Sequence, residues 1–158
     1  MDDYKFPDIA REHGLANLSP IQTIEAAEYF MIRDGGDNKI ELPLVHHINN
    51  GLYAREIFLP KDTLLTGKVH NFDHLSTLSK GEVSIYTSDD GLVRIKAPFT
   101  WHSKAGVKRL IYAHEDTVWT TYHVTSTIDV DALTDELSYM SDLSRIAEKI
   151  NLLPGGKA

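Results

Sequence analysis

Two histidines, His70 and His74, are the residues whose type and spacing point most directly to chemistry. His70 ends one β-rich run and His74 begins the next, and the residues between them, 71 to 73, have the composition of a turn. A tight turn would bring both imidazoles to one end of a sheet, where they could hold a metal ion. The alternative is a pair of hydrogen-bonded histidines in a turn.

The chain has eight histidines and no cysteine among its 158 residues. Disulfides, thiolate metal sites and cysteine nucleophiles are therefore excluded, and any metal must be held by nitrogen and oxygen. Such a site accepts several divalent ions, so the sequence predicts iron, manganese, nickel or zinc without choosing among them. The adjacent His46 and His47 point to opposite sides of an extended strand, and we expect them at the surface or the barrel mouth.

A third ligand must come from a strand that lies beside the first two. Strand alternation places His123 on the same face as Trp119 in the run from 117 to 124. His102, four residues after Pro98 on the preceding strand, is the competitor by position. The residues alone leave both histidines open as the third ligand.

Arg109 and Glu56 are the candidate catalytic residues. The guanidinium of Arg109 can clamp a carboxylate or phosphate through two parallel hydrogen bonds, or it can form an ion pair with Glu56 or Asp116. Arg55 and Glu56 are neighbours on one strand, so only one of them can face inward. An inward Glu56 would be a fourth ligand or a general base, and the alternative is an ion pair on the barrel wall.

Short β-rich runs must position these residues. They are separated by turns rich in Pro, Gly, Asn and Asp, and they occupy 52–59, 64–70, 82–87, 92–97, 109–113 and 117–124. Six or more strands at this even spacing predict a mainly β protein, with an antiparallel barrel or sandwich over about 40–125.

Two helical segments flank the predicted barrel. Ser19-Pro20-Ile21-Gln22 combines an N-cap serine, a proline at the first helical position and a glutamine that closes a capping box, which predicts a helix over about 20–33. An amphipathic pattern predicts a second helical segment over about 131–151, with a break near Ser141. We expect the helix over about 20–33 to pack on a sheet. We expect the segment over about 131–151 to cover a sheet face or to form a dimer contact.

Composition limits the classes of function. A hydrophobic content of 42% is enough for one domain over 1–158, and a net charge of -7 offers no basic face to nucleic acid. No apolar run approaches the roughly 20 residues that span a bilayer, and the first ten residues lack the basic and apolar regions of a signal peptide. We therefore expect a cytoplasmic protein that binds neither nucleic acid nor membrane.

The stretch 67–82 resembles the first motif of the cupin superfamily, G-x5-H-x-H-x3,4-E-x6-G. With Gly81 as the closing glycine, His74 falls in the glutamate slot, His70 in the second-histidine slot and Lys68 in the first-histidine slot. The resemblance implies a double-stranded β-helix, or jelly roll, with a metal at this end of the barrel. An inward Lys68 would repel a divalent cation.

The second cupin motif, G-x5-P-x-G-x2-H-x3-N, matches the chain poorly. Gly106 fits a glycine, whereas Lys104, Arg109 and Ala113 occupy the proline, histidine and asparagine slots. This departure supports an alternative function, in which the barrel is a non-catalytic structural or accessory scaffold.

The longer pattern over 51–124 resembles cupin-like proteins found in bacteriophage genomes. It implies a place in the host cytoplasm or the virion, and the alternative function would then be a virion or assembly role. Because His123 ends the signature Asp-Thr-Val-Trp-Thr-Thr-Tyr-His, the resemblance favours it as the third ligand, with His102 as the alternative.

The expected function is that of a cupin-like metal- or small-ligand-binding protein, or of a metal-dependent enzyme whose small anionic substrate Arg109 orients. A homodimer or larger ring is also expected. Cupin-like barrels commonly pair through strands or terminal helices, and the apolar face of Leu133, Leu137 and Met140 needs cover.

Overall fold

The computed structural model describes residues 18–35 and 40–151. The elements, in chain order, are helix α1 (Pro20–Gly35), strands β1 (Leu44–Asn49), β2 (Leu52–Leu59), β3 (Leu64–Thr66), β4 (Val69–His70), β5 (His74–Lys80), β6 (Glu82–Thr87), β7 (Gly91–Lys96), β8 (Phe99–Ser103), β9 (Arg109–Ala113) and β10 (Thr117–Val124), helix α2 (Val130–Leu137), strand β11 (Ser138–Tyr139) and helix α3 (Ser144–Asn151).

Nine of these strands form two antiparallel sheets. The first sheet has the order β2-β10-β5-β8 and is extended by β1, and the second has the order β3-β9-β6-β7. Each sheet therefore interleaves early and late strands, which is the arrangement of a jelly roll built from two Greek keys. The predicted mainly β, antiparallel fold is confirmed.

Most predicted runs coincide with strands because their alternation is regular. The run 64–70 is the exception: it is interrupted at Gly67 and Lys68, so that β3 and β4 belong to different sheets. The main core lies between the two facing sheets and contains Leu59, Leu78, Val83, Ile85, Ile111, Ala113 and Trp119.

Helix α1 covers the outer face of the second sheet. Its start is the predicted capping box: Ser19 N donates to Gln22 Oε1 over 3.1 Å, and Gln22 N donates to Ser19 Oγ over 3.4 Å. Ile24 and Ala27 pack against Leu110 of β9. The prediction that this helix packs on a sheet is therefore confirmed.

The C-terminal segment is two helices, with the predicted break near Ser141. Asp129 caps α2 by accepting a hydrogen bond from Ala132 N, and the chain then turns into β11 before α3 begins at Ser144. Helix α3 packs on α1, with Ile146 and Ile150 among the buried contacts. Within the described ranges, no helix is long and apolar enough to cross a membrane.

Helix α2 and β11 close one end of the barrel. Leu133 and Leu137 are buried against Tyr53, so two of the three apolar residues invoked for a dimer contact are already covered by their own chain. Leu133 and Leu137 therefore need no dimer contact for cover, whereas Met140 is exposed, and the homodimer or larger ring stays a prediction. Strand β11 pairs with β4, placing Ser138 opposite His70.

Candidate metal centre

A cavity of about 210 Å³ lies between the sheets at the end closed by α2 and β11. Strands β2, β3, β4, β5, β9 and β10 contribute to its walls. The polar and aromatic residues that line it are Tyr53, Arg55, Thr66, Lys68, His70, His74, Ser103, Arg109, Trp119, Thr121, His123, Thr134 and Ser138. The cavity therefore collects most of the residues that the sequence singled out.

Three histidines converge in this cavity. The ring centroids of His70 and His74 are 4.2 Å apart, those of His74 and His123 are 4.6 Å apart, and those of His70 and His123 are 5.2 Å apart. One ring nitrogen from each residue lies within 4.8 Å of the other two. The predicted convergence of His70, His74 and His123 is therefore observed.

The fold explains why these three side chains meet. Strand β10 lies at the centre of the first sheet, and its alternation turns Trp119, Thr121 and His123 inward. His74 opens the neighbouring strand β5, whereas His70 reaches the cavity from β4, which β11 holds in place. Three different strands therefore contribute one imidazole each.

Hydrogen bonds leave ring nitrogens available. His74 Nδ1 donates to the Phe72 carbonyl oxygen over 3.2 Å, and since a carbonyl only accepts, Nε2 keeps its lone pair. His123 Nε2 lies 3.1 Å from the Thr121 hydroxyl. Within the described residues, the buried Nδ1 of His70 has no hydrogen-bond partner. A buried, unpartnered imidazole nitrogen is costly unless something binds it, and a metal ion would do so.

The electrostatics keep the three rings neutral. Burial, followed by the neighbouring His74 and His123, lowers the pKa of His70 to about 3. Burial, followed by His74 and Arg55, lowers the pKa of His123 to about 4. The pKa of His74 is lowered by burial as well. Neutral imidazole is the form that binds metals, so the cluster is ready to bind at neutral pH.

Arg109 lines the cavity, as its predicted role as an anion clamp requires. Its residue surface is only 8% exposed, and Nη1 donates to the Val107 carbonyl oxygen over 3.2 Å. Among the described residues it forms no ion pair, so the predicted pairing with Glu56 or Asp116 is not observed. Asp116 instead accepts a hydrogen bond from Lys61 N.

Glu56, the second predicted catalytic candidate, faces away from the cavity. In the register between β2 and β10, Glu56 is opposite Thr120, and Arg55 is opposite the inward-facing Thr121. The Thr120 hydroxyl donates to Glu56 Oε2 over 3.3 Å on the outer face. The interpretation of Glu56 as an inward ligand or base was wrong, and the residue that turns inward is its neighbour Arg55.

His102 and the other polar candidates lie outside the cluster. His102 is exposed on β8, where the inward residue is Ser103. Lys68 is exposed at the edge of the cavity, so its ammonium group is not buried among the imidazoles. His46 is exposed, as expected, and its Nδ1 lies 2.8 Å from the hydroxyl of Tyr53.

Sequence reasoning missed Arg55, although the alternation of β2 contained the signal. Tyr53, Ile57 and Leu59 share one face with Arg55, and three apolar or aromatic residues at that spacing mark the inward side of a strand. Glu56 lies on the other face, between Ala54 and Phe58, where the pattern is less distinct. The alternation of β2 therefore predicts Arg55, and not Glu56, in the cavity.

No protein-family model and no curated protein matches the sequence. Solved structures are similar over part of the chain. An RmlC-like cupin family protein with a double-stranded β-helix fold from Methanocaldococcus jannaschii is 15% identical, with 56% of this chain and 84% of that chain covered and a TM-score of 0.46. KdgF from Halomonas sp. is 10% identical, with 61% and 90% covered and a TM-score of 0.49.

A conserved protein of unknown function from Streptococcus pyogenes is 18% identical, with 56% of this chain and 77% of that chain covered and a TM-score of 0.45. The similar structures thus include cupin-family proteins. The fold assignment rests on the strand order of this chain. At these identities and TM-scores, the similar structures give no further evidence for the fold and none for the chemistry of the site.

Proposed function

We propose that this protein binds a divalent metal ion through His70, His74 and His123 and a small anionic ligand in the same cavity. The observation that carries the proposal is the convergence of three neutral imidazoles, one of which has a buried nitrogen without a partner among the described residues. Three protein ligands leave coordination positions open, which is the arrangement of catalytic rather than structural metal sites. A bound divalent ion supplies Lewis acidity toward an oxygen ligand.

The protein's own residues supply the rest of the proposed site. Arg109 orients the anion, because its guanidinium is fixed in the wall and offers a planar pair of donors. Helix α2 and β11 cover one end of the cavity through Leu133 and Leu137. This combination of open metal positions, an anion clamp and a partly covered cavity favours a metal-dependent enzyme acting on a small anionic substrate.

Elemental analysis tests the metal site directly. Protein purified without chelators, or reconstituted with iron, manganese, nickel or zinc, should carry close to one ion per chain. The double variant His70→Ala, His74→Ala should lose that ion, whereas His102→Ala, which removes an exposed histidine from β8, should retain it. Full occupancy in the double variant, or no binding by the wild type, would refute the proposal. The alternative function, a scaffold role in a phage virion or in its assembly, predicts that the wild-type protein binds no metal.

A further inference from the structure

The cavity carries more positive charge than one arginine explains. Arg55 enters from β2 in the first sheet and Arg109 from β9 in the second, so the two guanidinium groups belong to opposite walls. Both side chains line the same cavity as the histidine cluster. Arg55 is half-buried and Arg109 is buried.

Neither guanidinium group forms an ion pair with a carboxylate in the described part of the chain. Asp89 and Asp90 act on Arg109 only through longer-range electrostatics, and none of the residues that line this cavity is acidic. The Val107 carbonyl oxygen, which accepts a hydrogen bond from Arg109, is neutral. Buried charges in proteins are normally paired, because removing an unpaired ion from water is costly. An anion of the ligand is the group that would complete these pairs.

The cavity wall offers a further hydrogen-bond donor. Trp119 lines the cavity and is only 5% exposed, and its indole Nε1 has no acceptor among the described residues. An indole N–H can only donate, so the group that satisfies it must be an acceptor. The cavity is therefore lined by two guanidinium groups and by the residue that carries an unsatisfied indole N–H.

These observations define the charge and size of the ligand. A monoanion would pair with one arginine and leave the other uncompensated, whereas a ligand with two carboxylates can pair with both walls. The cavity of about 210 Å³ is somewhat larger than the roughly 150 Å³ cavity that holds benzene. It therefore suits a ligand with on the order of ten non-hydrogen atoms or fewer.

We propose that the ligand is a small dicarboxylate, with one carboxylate bound by Arg55 and the other by Arg109, beside the histidine cluster. The inference rests on the proposed function for the identity of the site, and it adds the class of ligand and a role for Arg55. Guanidinium is the group whose planar fork matches a carboxylate through two parallel hydrogen bonds. Arg55 is thus a specificity-determining residue that distinguishes dicarboxylates from monocarboxylates.

Calorimetric titration with succinate and butyrate tests this class. The two probes have the same number of carbons and differ in one carboxylate, so their affinity ratio reports the second charge. Wild-type protein should bind succinate at least about tenfold more tightly than butyrate. Arg55→Gln should bring that ratio close to one, mainly by weakening succinate. Arg109→Lys, which keeps the charge and removes the fork, should also weaken succinate by about tenfold.

Arg94→Gln is the matched control, because Arg94 is an exposed arginine on β7 whose partner is Glu82. It should leave both affinities unchanged. Equal affinities of the wild type for succinate and butyrate, or an Arg55→Gln variant with an unchanged ratio, would overturn the inference. Tighter binding of inorganic phosphate than of succinate would overturn it in favour of a phosphate ligand.

Titrations of metal-free and zinc-loaded protein separate this inference from the proposed function. If succinate binds selectively to metal-free protein and zinc does not bind, the metal site is wrong and the dicarboxylate site stands. If zinc binds fully and succinate is not preferred, the metal site stands and the dicarboxylate site is wrong. Zinc content measured in Arg55→Gln should equal that of the wild type, because Arg55 is not a metal ligand.

Discussion

The imidazole of His123 lies parallel to that of His70, with 7° between the ring planes and 5.2 Å between the ring centroids. His123 belongs to the central strand of the first sheet, whereas His70 belongs to a two-residue strand paired with β11. Separate sets of backbone hydrogen bonds therefore position the two rings. Removing one ring should leave the other in position.

Replacing His123 should weaken metal binding while the barrel stays folded. His123→Ala removes one of three proposed ligands, and we expect zinc affinity to fall by at least about a hundredfold. A competition titration against a chromophoric chelator measures this change. His102→Ala serves as the control and should leave zinc affinity unchanged, since His102 is exposed on β8. The reverse pattern would show that the ligand set includes His102 instead.

The metal-free protein should lose stability as the pH falls from about 7 toward 5. The pKa values of His70 and His123 are lowered to about 3 and about 4 in the folded state, whereas unfolded histidine titrates near 6.5. Below that pH the unfolded chain binds protons that the folded chain does not, so the free energy of unfolding decreases as the pH falls. Each histidine contributes a slope of up to about 1.4 kcal/mol per pH unit.

Urea denaturation at several pH values measures this slope. In His70→Gln, the pH dependence of the free energy of unfolding should be reduced by the contribution of one histidine. In His102→Gln, it should equal that of the wild type. A slope that is the same in His70→Gln and in the wild type would contradict the assignment of this acid sensitivity to the cluster.

The buried ion pair between Lys108 and Glu28 should be essential for docking α1 on the barrel. Lys108 Nζ lies 2.9 Å from Oε1 and 2.8 Å from Oε2 of Glu28, and both residues are almost fully buried. Glu28→Gln should destabilise the protein by about 3–5 kcal/mol, because it leaves the Lys108 ammonium buried without a counter-charge. Denaturant unfolding measures the loss.

The exposed pair between Arg94 and Glu82 provides the control for the buried one. Arg94 Nε lies 2.6 Å from Glu82 Oε1, but the Arg94 side chain is 48% exposed. Water screens this pair, so Arg94→Gln should lower the free energy of unfolding far less than Glu28→Gln does. Equal decreases in the free energy of unfolding of Glu28→Gln and Arg94→Gln would show that burial does not determine how strongly the Lys108–Glu28 pair stabilises the protein.

Gly81 should tolerate no side chain. Its φ is +90°, and an added Cβ would lie 2.8 Å from the Thr117 Cα and 2.7 Å from the Asp116 carbonyl oxygen. Gly81→Ala should therefore cost about 3 kcal/mol, from the strained backbone and the clash together. Gly106 has a φ of +76° and open space around it, so Gly106→Ala should cost only about 1 kcal/mol. Thermal denaturation of both variants separates the two causes.

The local pattern of the sequence is enough to locate the strands and part of the site. The run 117–124 alternates regularly because one face of β10 packs in the core, and this alternation alone places His123 on the same face as Trp119. The spacing of His70 and His74 around a short turn likewise places both imidazoles at one end of the barrel. Alternation and turn composition are properties of neighbouring residues, so they can be read directly from the chain.

Tertiary structure decided which side chains meet at the cavity. The alternation of β2 groups Arg55 with Tyr53, Ile57 and Leu59, but only the register with β10 brought this face of the strand beside Thr121 and the histidine cluster. The same holds for His102, which the fold of β8 left exposed. The cavity itself depends on Arg109 and on α2, which come from distant parts of the chain. The sequence therefore determined the elements and two of the candidate ligands, whereas the charge of the cavity was decided by long-range packing that no local pattern encodes.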